Sequence, residues 1–433
     1  VSISEQYKTS LRELSDELIA IQKPILILDA IKWPQEYENR FLANSGKRLP
    51  DIDAAFYQAK NPLAFDPKTK REELISLRHK IEKRLGKHDA LAKMLCDTTA
   101  QYEVVIDMLT QRGHRGFMDA SRQLYGSARE HLRGDKLTLI EMGQRLCEIF
   151  SLPAAGHLSA HYSVDIPATE AVKQLQDRLQ HFFHDSNFTV RETDGIVSDA
   201  AAGGDCIKVN THASFSSLDI RVLEVHEGWV HVGTTLNGRN QPWATWLSVG
   251  SPRITALQEG LAVLIETLTF SSYPGRARKI SDRVVAIDMA EQGADFIEVY
   301  RHFVEQGLTP KQSYKIAQRV FRGGDVSGGS CFTKDLSYVK GFVETVNFIR
   351  STILSDLPQL LPLLFVGKIA LDDLPALYEY QQLGVIAPPR YLPPMFQDLN
   401  GLYVWFGFSS GMSAVNLESI QQHFKVLFQH LKV

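Results

Sequence analysis

Cysteine is scarce in this chain. Cys96, Cys147, Cys206 and Cys331 are spread over 433 residues, and no two form a C-x-x-C pair. The fold therefore does not rest on a disulfide framework, and a reducing compartment is expected. Charge of one sign is lacking too. The formal net charge is -3, with no basic run and no basic-aromatic patch, so nucleic acid is not expected as a partner. Long apolar runs are also missing. The most apolar late stretch, "LPQLLPLLFVGKIAL", is too short for a bilayer and is interrupted by Pro358, Pro362 and Lys368. The first residues, "VSISEQYKTSLRELSDELIA", show no basic segment followed by an apolar core, so no signal peptide is expected. A cytoplasmic protein without a membrane partner is the expectation.

What is present is an ordinary globular composition, 44% hydrophobic and 22% charged, with length enough for a large core. The first third reads as helices: Leu11, Leu14, Leu18 and Ile21 recur at helical spacing, and "IEKRLGKHDALAKML", "AQYEVVIDMLTQRG" and "TLIEMGQRLCEIF" follow suit. After "PAAGHLSAHYSVDIPATE" comes a helix over about 169–184. "FTVRETDGIVSDAAAGGDCIKVNTHASFS" then alternates, is rich in Val, Ile and Thr, and carries Asp-Gly and Gly-Gly turns. It predicts two or three short antiparallel strands. A helix over about 218–236 follows, with Asn237-Gly238 as its stop, and another over about 255–270. The class is α+β: predominantly helical, with a small antiparallel sheet beside the helix that carries "HEGWVH".

In that helix His226 and Glu227 are adjacent and His231 stands five residues after His226. Histidines four apart point about 40° apart on a regular helix, whereas five apart they diverge by about 140°. One residue bulged out of the turn restores the alignment, and such bulges concentrate at functional sites. Gly228 lies inside the expected bulge and tolerates an unusual backbone. A two-histidine metal site needs a third ligand, commonly a carboxylate from a following helix. Glu259, in "TALQEGLAVLIE", fits that place. The bland alternative is a solvated helix face with two histidines, and a Glu259 favoured by the helix dipole with Glu266 on the opposite rim.

The ordered set "HEGWVH", "TTLNGRNQP", "QEGLA", "FRGG" and "CFTKDLSYVKG", preceded by "GFMDASRQLYG", resembles the microtubule-associated tyrosine carboxypeptidase family. Its bacterial members are often labelled flavohemoglobin expression-modulating QEGLA-motif proteins. The resemblance covers most of the chain, and the five-residue histidine spacing is the family's own pattern. It implies that His226, His231 and Glu259 bind zinc and that Glu227 is the catalytic carboxylate.

The expected activity is that of a zinc metallocarboxypeptidase acting on a peptide or protein C-terminus. Glu227 can take a proton from water and pass it to the leaving amine. Tyr338 is the candidate for stabilising the oxyanion. A carboxypeptidase needs cations for the terminal carboxylate, and Arg322 and Lys334 lie in the matched region, with Asp335 placed to hold one of them. Asn210, on "IKVN", is a candidate to hydrogen-bond the substrate backbone by strand addition. An N-terminal helical region (1–165) and a catalytic domain (166–433) are expected. A regulatory or binding protein with a vestigial zinc site, or a metalloendopeptidase, are the alternatives.

Three further signals are discounted. His157 and His161 are four apart, but no Glu follows and no third ligand is evident. "GGDVSGGS" lacks the Gly-Lys-Ser/Thr ending of a phosphate loop and reads as a flexible substrate-side loop. "LYVWFGFSSG" reads as core packing.

Overall fold

The structure is a computed structural model that describes residues 3–429 apart from 195 and 197. It is α+β, mostly helical with a three-stranded sheet and a two-stranded pair among the described residues. The first helix, Glu5–Gln22, starts at Ser4, whose side chain accepts the N–H of Tyr7, and buries Leu11, Leu14 and Leu18. Helices Pro67–Leu85 and Ala90–Thr110 begin at the N-caps Asp66 and Asp89 and bury their leucine stripes in the same core. That core also holds Leu257, Leu261 and Leu364, so the residues before and after 165 share one apolar interior. A second core is built on aromatic edges, with the Phe41 and Phe296 rings 5.1 Å apart and T-shaped.

The sheet lies against helix Ala168–Phe182. Strands β1 (Ile166–Pro167) and β5 (Ser214–Phe215) form a short antiparallel pair. β2 (Thr189–Thr193), β3 (Ala200–Gly203) and β4 (Cys206–Asn210) form a sheet in the order β2-β4-β3. After β2 the chain reverses and runs back as β3, turns at Gly204 (φ 67°), and inserts β4 between them. The β3–β4 hairpin is antiparallel, as expected, while β4 ends up parallel to β2. The Asp-Gly turn expected at 194–195 involves a residue outside those described. β3 is left as an edge strand.

The helix that follows runs without a break from Ser217 to Arg239. Ser216 caps it, and Asp219 returns the bond to complete a capping box. Asn237-Gly238 is not the stop but lies inside the last turn. Asn237 Nδ2 donates to the carbonyls of Phe365 and Tyr391, and a Cβ on Gly238 would meet Leu247 O at 2.2 Å. The pair serves tertiary contacts, which outweigh its local turn preference.

Two other expectations change. The segment "GGDVSGGS" is a packed turn: Gly323 donates its N–H to Tyr57 Oη at 2.7 Å, and a Cβ there would strike the Phe117 ring. Helix Asn400–Met412 buries only Leu402 and Phe406, leaving Tyr403, Trp405 and Phe408 exposed. No helix among the described residues is long and apolar enough to cross a membrane.

Candidate metal centre

The spacing of His226 and His231 is resolved by the backbone. Residues Glu224–Val232 form a π-helix, with hydrogen bonds to the fifth residue rather than the fourth. The wider turn spreads the expected one-residue bulge over nine residues and stacks residues five apart on one face. The two imidazoles are 4.8 Å apart and perpendicular. Gly228 is required by packing rather than by its φ: a Cβ would meet Leu179 Cδ2 at 2.5 Å, so helix Ala168–Phe182 can approach only a glycine there.

Glu259 comes from helix Thr255–Leu268, which lies beside the π-helix. Its Oε2 is 3.4 Å from His226 Nε2 and 3.5 Å from His231 Nε2. That oxygen is buried and has no hydrogen-bond partner among the described residues. A buried carboxylate oxygen without a partner is costly. Here it faces two imidazole nitrogens, and the three ligand atoms all lie within 4.8 Å of one another. The donor set suits a metal ion that takes nitrogen and oxygen.

The "QEGLA" residues each have a physical task. Gly260 crosses Gly341 of helix Ser337–Leu354 so closely that a Cβ would lie 2.0 Å from the Gly341 carbonyl carbon. Leu261 and Ala262 are fully buried in the core. Gln258 Oε1 accepts from Thr234 Oγ1 at 2.9 Å and from Lys368 Nζ at 2.8 Å, and faces His231 Nδ1 at 3.4 Å. Lys368 Nζ also donates to the carbonyl of His231 at 2.9 Å. Burial pulls Lys368 down to about 7, against the opposing pull of Glu259 and Glu227.

His226 has a stronger support on its other nitrogen. Its Nδ1 lies 2.6 Å from Glu266 Oε1, and Arg276 and Ser272 bind the same carboxylate. Glu266 is therefore not on an opposite rim. It stands seven residues, about two turns, after Glu259, which returns it to the same helix face. Burial alone would raise its pKa, but Arg276 and the His226 hydrogen bond hold it down at about 2.

Glu227 points from the same helix to the edge strand, where its Oε2 accepts the N–H of Ala202 at 2.7 Å. Tyr338 lies parallel to the His226 ring at 6.3 Å. Lys334 Nζ is 3.0 Å from Glu259 Oε1, the oxygen that does not face the histidines.

A cavity of about 220 Å³ opens on this group, lined among others by His226, Glu227, Glu259, Arg322, Lys334 and Tyr338. A second, about 460 Å³, adjoins it and shares Ala202, His231, Glu259 and Lys334. Asp29 and Lys32 line the smaller cavity, Ile19 and Gln22 the larger, so the helices before 165 supply part of the walls.

Arginines crowd the smaller cavity. Arg319 makes a two-pronged pair with Asp335 at 2.5 and 3.0 Å, and Arg283 reaches the same carboxylate at 3.6 Å. Arg322 is 5% exposed, its Nε has no partner among the described residues, and its guanidinium lies over the Phe332 ring. Burial, with Arg319 and Arg283 nearby, lowers its pKa to about 10. Asp335 thus pairs with Arg319 and Arg283 rather than with either sequence-predicted cation. Asn210 lies outside the two cavities at the metal group. Its Nδ2 donates to the carbonyls of Ile196 and Ser198, and its Oδ1 accepts from His212 N. His157 and His161 are exposed.

The fold and site define an α+β protein with a buried His-His-Glu group that could hold a metal ion. The model of the microtubule-associated tyrosine carboxypeptidase family matches residues 39–414, and the chain belongs to that family. Membership implies a carboxypeptidase-like peptidase with a peptide or protein substrate. No curated protein matches the chain.

Proposed function

We propose that the protein is a zinc-dependent metallocarboxypeptidase of the cytoplasm, removing a residue from the C-terminus of a peptide or protein. The observation that carries this reading is Glu259 Oε2, buried without a hydrogen-bond partner among the described residues and facing the Nε2 atoms of His226 and His231. These three residues would hold the metal. Bound zinc would supply a water of lowered pKa and a Lewis acid for the scissile carbonyl.

The remaining tasks fall to the chain's own groups. Glu227, held by the Ala202 N–H, takes the proton of the attacking water and delivers it to the leaving amine. Tyr338 donates its hydroxyl to the developing oxyanion. Arg322 offers its guanidinium to the substrate's terminal carboxylate, which offsets the excess of positive charge around Asp335. Lys334 neutralises Glu259 and extends the same cationic wall. Asn210 holds the carbonyls of Ile196 and Ser198, two residues that line the smaller cavity. Residues 166–433 would form the catalytic part, with 1–165 completing the walls.

The test is metal analysis of protein purified without added metal, then a screen of peptides differing at the last residue. About one zinc per chain and release of single C-terminal residues are expected. Cleavage of internal bonds would replace the reading with an endopeptidase. Zinc without hydrolysis of any peptide would favour a binding protein with a vestigial site.

A further inference from the structure

The last two helices carry apolar surface that no other part of the described chain covers. Helix Asn400–Met412 buries Leu402 and Phe406, but Val404, Trp405, Phe408 and Met412 are 56–71% exposed. At about 100° per residue these four fall in one arc of about 100°, the width of a core-facing stripe. The helix has no charged residue. Helix Leu417–Phe428 is capped by Asn416 and has no buried residue at all. Its Leu417, Ile420, Phe424 and Leu427 follow the 3-4-3 spacing of a coiled-coil seam. This helix begins beyond the matched residues 39–414.

We propose that the C-terminal helices form a homodimer interface, in which helix Leu417–Phe428 pairs antiparallel with the same helix of a second copy.

A seam of that spacing fits a helix bearing a matching seam, and a second copy brings one. It is symmetric about residue 422. An antiparallel pair about a two-fold there sets Leu417 against Leu427 and Ile420 against Phe424, giving layers of even volume. A parallel pair would put phenylalanine on phenylalanine and isoleucine on isoleucine. Antiparallel packing also opposes the helix dipoles favourably. Gln421 and His423 flank the seam, so no like charges meet across the axis at neutral pH. The area is sufficient: twelve large apolar side chains between Tyr403 and Phe428 are exposed, on the order of 1000 Å². A stable interface needs about 800 Å² from each partner, and a monomer rarely shows a patch this large. The few basic residues argue against an anionic membrane as the occupant.

The test is sedimentation equilibrium of the full chain at about 1–50 µM. A dimer mass is expected, and Ile420→Asp with Phe424→Asp should give a monomer that keeps the parent's far-ultraviolet circular dichroism, since both side chains are exposed in the single chain. If that variant misfolds, Gln421→Cys decides: one residue from the two-fold, it should cross-link on oxidation, whereas Phe428→Cys should not. A monomer throughout, a dimer indifferent to the aspartates, or cross-linking at residue 428 alone would overturn the proposal. So would a monomer that binds phosphatidylcholine vesicles containing a fifth phosphatidylglycerol.

Discussion

Glu266 Oε1 lies 2.6 Å from His226 Nδ1, while Nε2 of the same ring faces Glu259 Oε2 at 3.4 Å. One helix thus addresses both nitrogens of one histidine, and the ionised Glu266 fixes the proton on Nδ1. The lone pair at Nε2 is left for a metal. Glu266→Gln should weaken zinc affinity about 10- to 100-fold, read by competition with a chelator. Unchanged affinity would mean that the carboxylate serves only Arg276.

His231 is supported by a different chain of groups, Lys368 to Gln258 to His231. Lys368 Nζ donates to Gln258 Oε1 and so turns that oxygen, rather than the amide nitrogen, toward His231 Nδ1. Lys368→Met and Gln258→Met should each lower zinc affinity about tenfold. The double variant should lose less than the two single losses combined, because the Lys368–Gln258 bond is common to both. Additive losses would show two independent effects.

Much of this centre was legible in the sequence, and the limits are physical. His226, His231 and Glu259 could be named because the ordered motifs resemble the family, whereas the histidine spacing alone left a solvated helix face open. The sequence also demanded an irregular helix, and the π-helix at Glu224–Val232 meets that demand. Glu266 was misplaced although its seven-residue offset from Glu259 already put both on one face. Lys368 carried no local signal: it reaches the site from 137 residues after His231, and long-range contacts leave no periodicity. The sheet's mixed pairing was hidden for the same reason, since strand order depends on where β4 inserts. "LYVWFGFSSG" reads as core because an apolar stripe looks alike whether its own chain or another surface covers it.

Glu227→Gln should retain zinc and lose activity by about 10²- to 10⁴-fold. The amide still meets the Ala202 N–H through its oxygen, so shape is kept while the proton acceptor is removed. Turnover within a few fold of the parent, with zinc bound, would point to another base.

Arg322 tests the carboxypeptidase reading itself. A charge-assisted bond to a desolvated carboxylate is worth roughly 1.5–3 kcal/mol, about ten- to hundredfold. Amidating a good substrate should cut kcat/KM by that factor. Arg322→Ala should remove most of the discrimination without changing zinc content, since it is not among the ligands. Equal cleavage of acid and amide by the parent enzyme would return Arg322 to a packing role over Phe332.

Asp335 makes the last case, through stability. It is the carboxylate shared by Arg319 and Arg283, and Arg322 also feels its charge. Burial alone would raise its pKa, but Arg319 and then Arg283 hold it well below the usual carboxylate range. A carboxyl whose folded pKa is depressed adds stability that is complete above its unfolded value, about 3.9. That stability is lost as the pH falls through the folded value. The contribution should therefore be full at neutral pH and decline only below about pH 4. Asp335→Asn would leave the arginines without their counter-charge, a loss of about 3–5 kcal/mol by analogy with other broken buried pairs. Denaturant titration should show that gap at pH 7 and show it narrowing as the pH falls below about 4. A gap that stayed constant down to pH 3 would mean that the carboxylate's charge is not what holds the arginine wall, and that the hydrogen-bond geometry suffices.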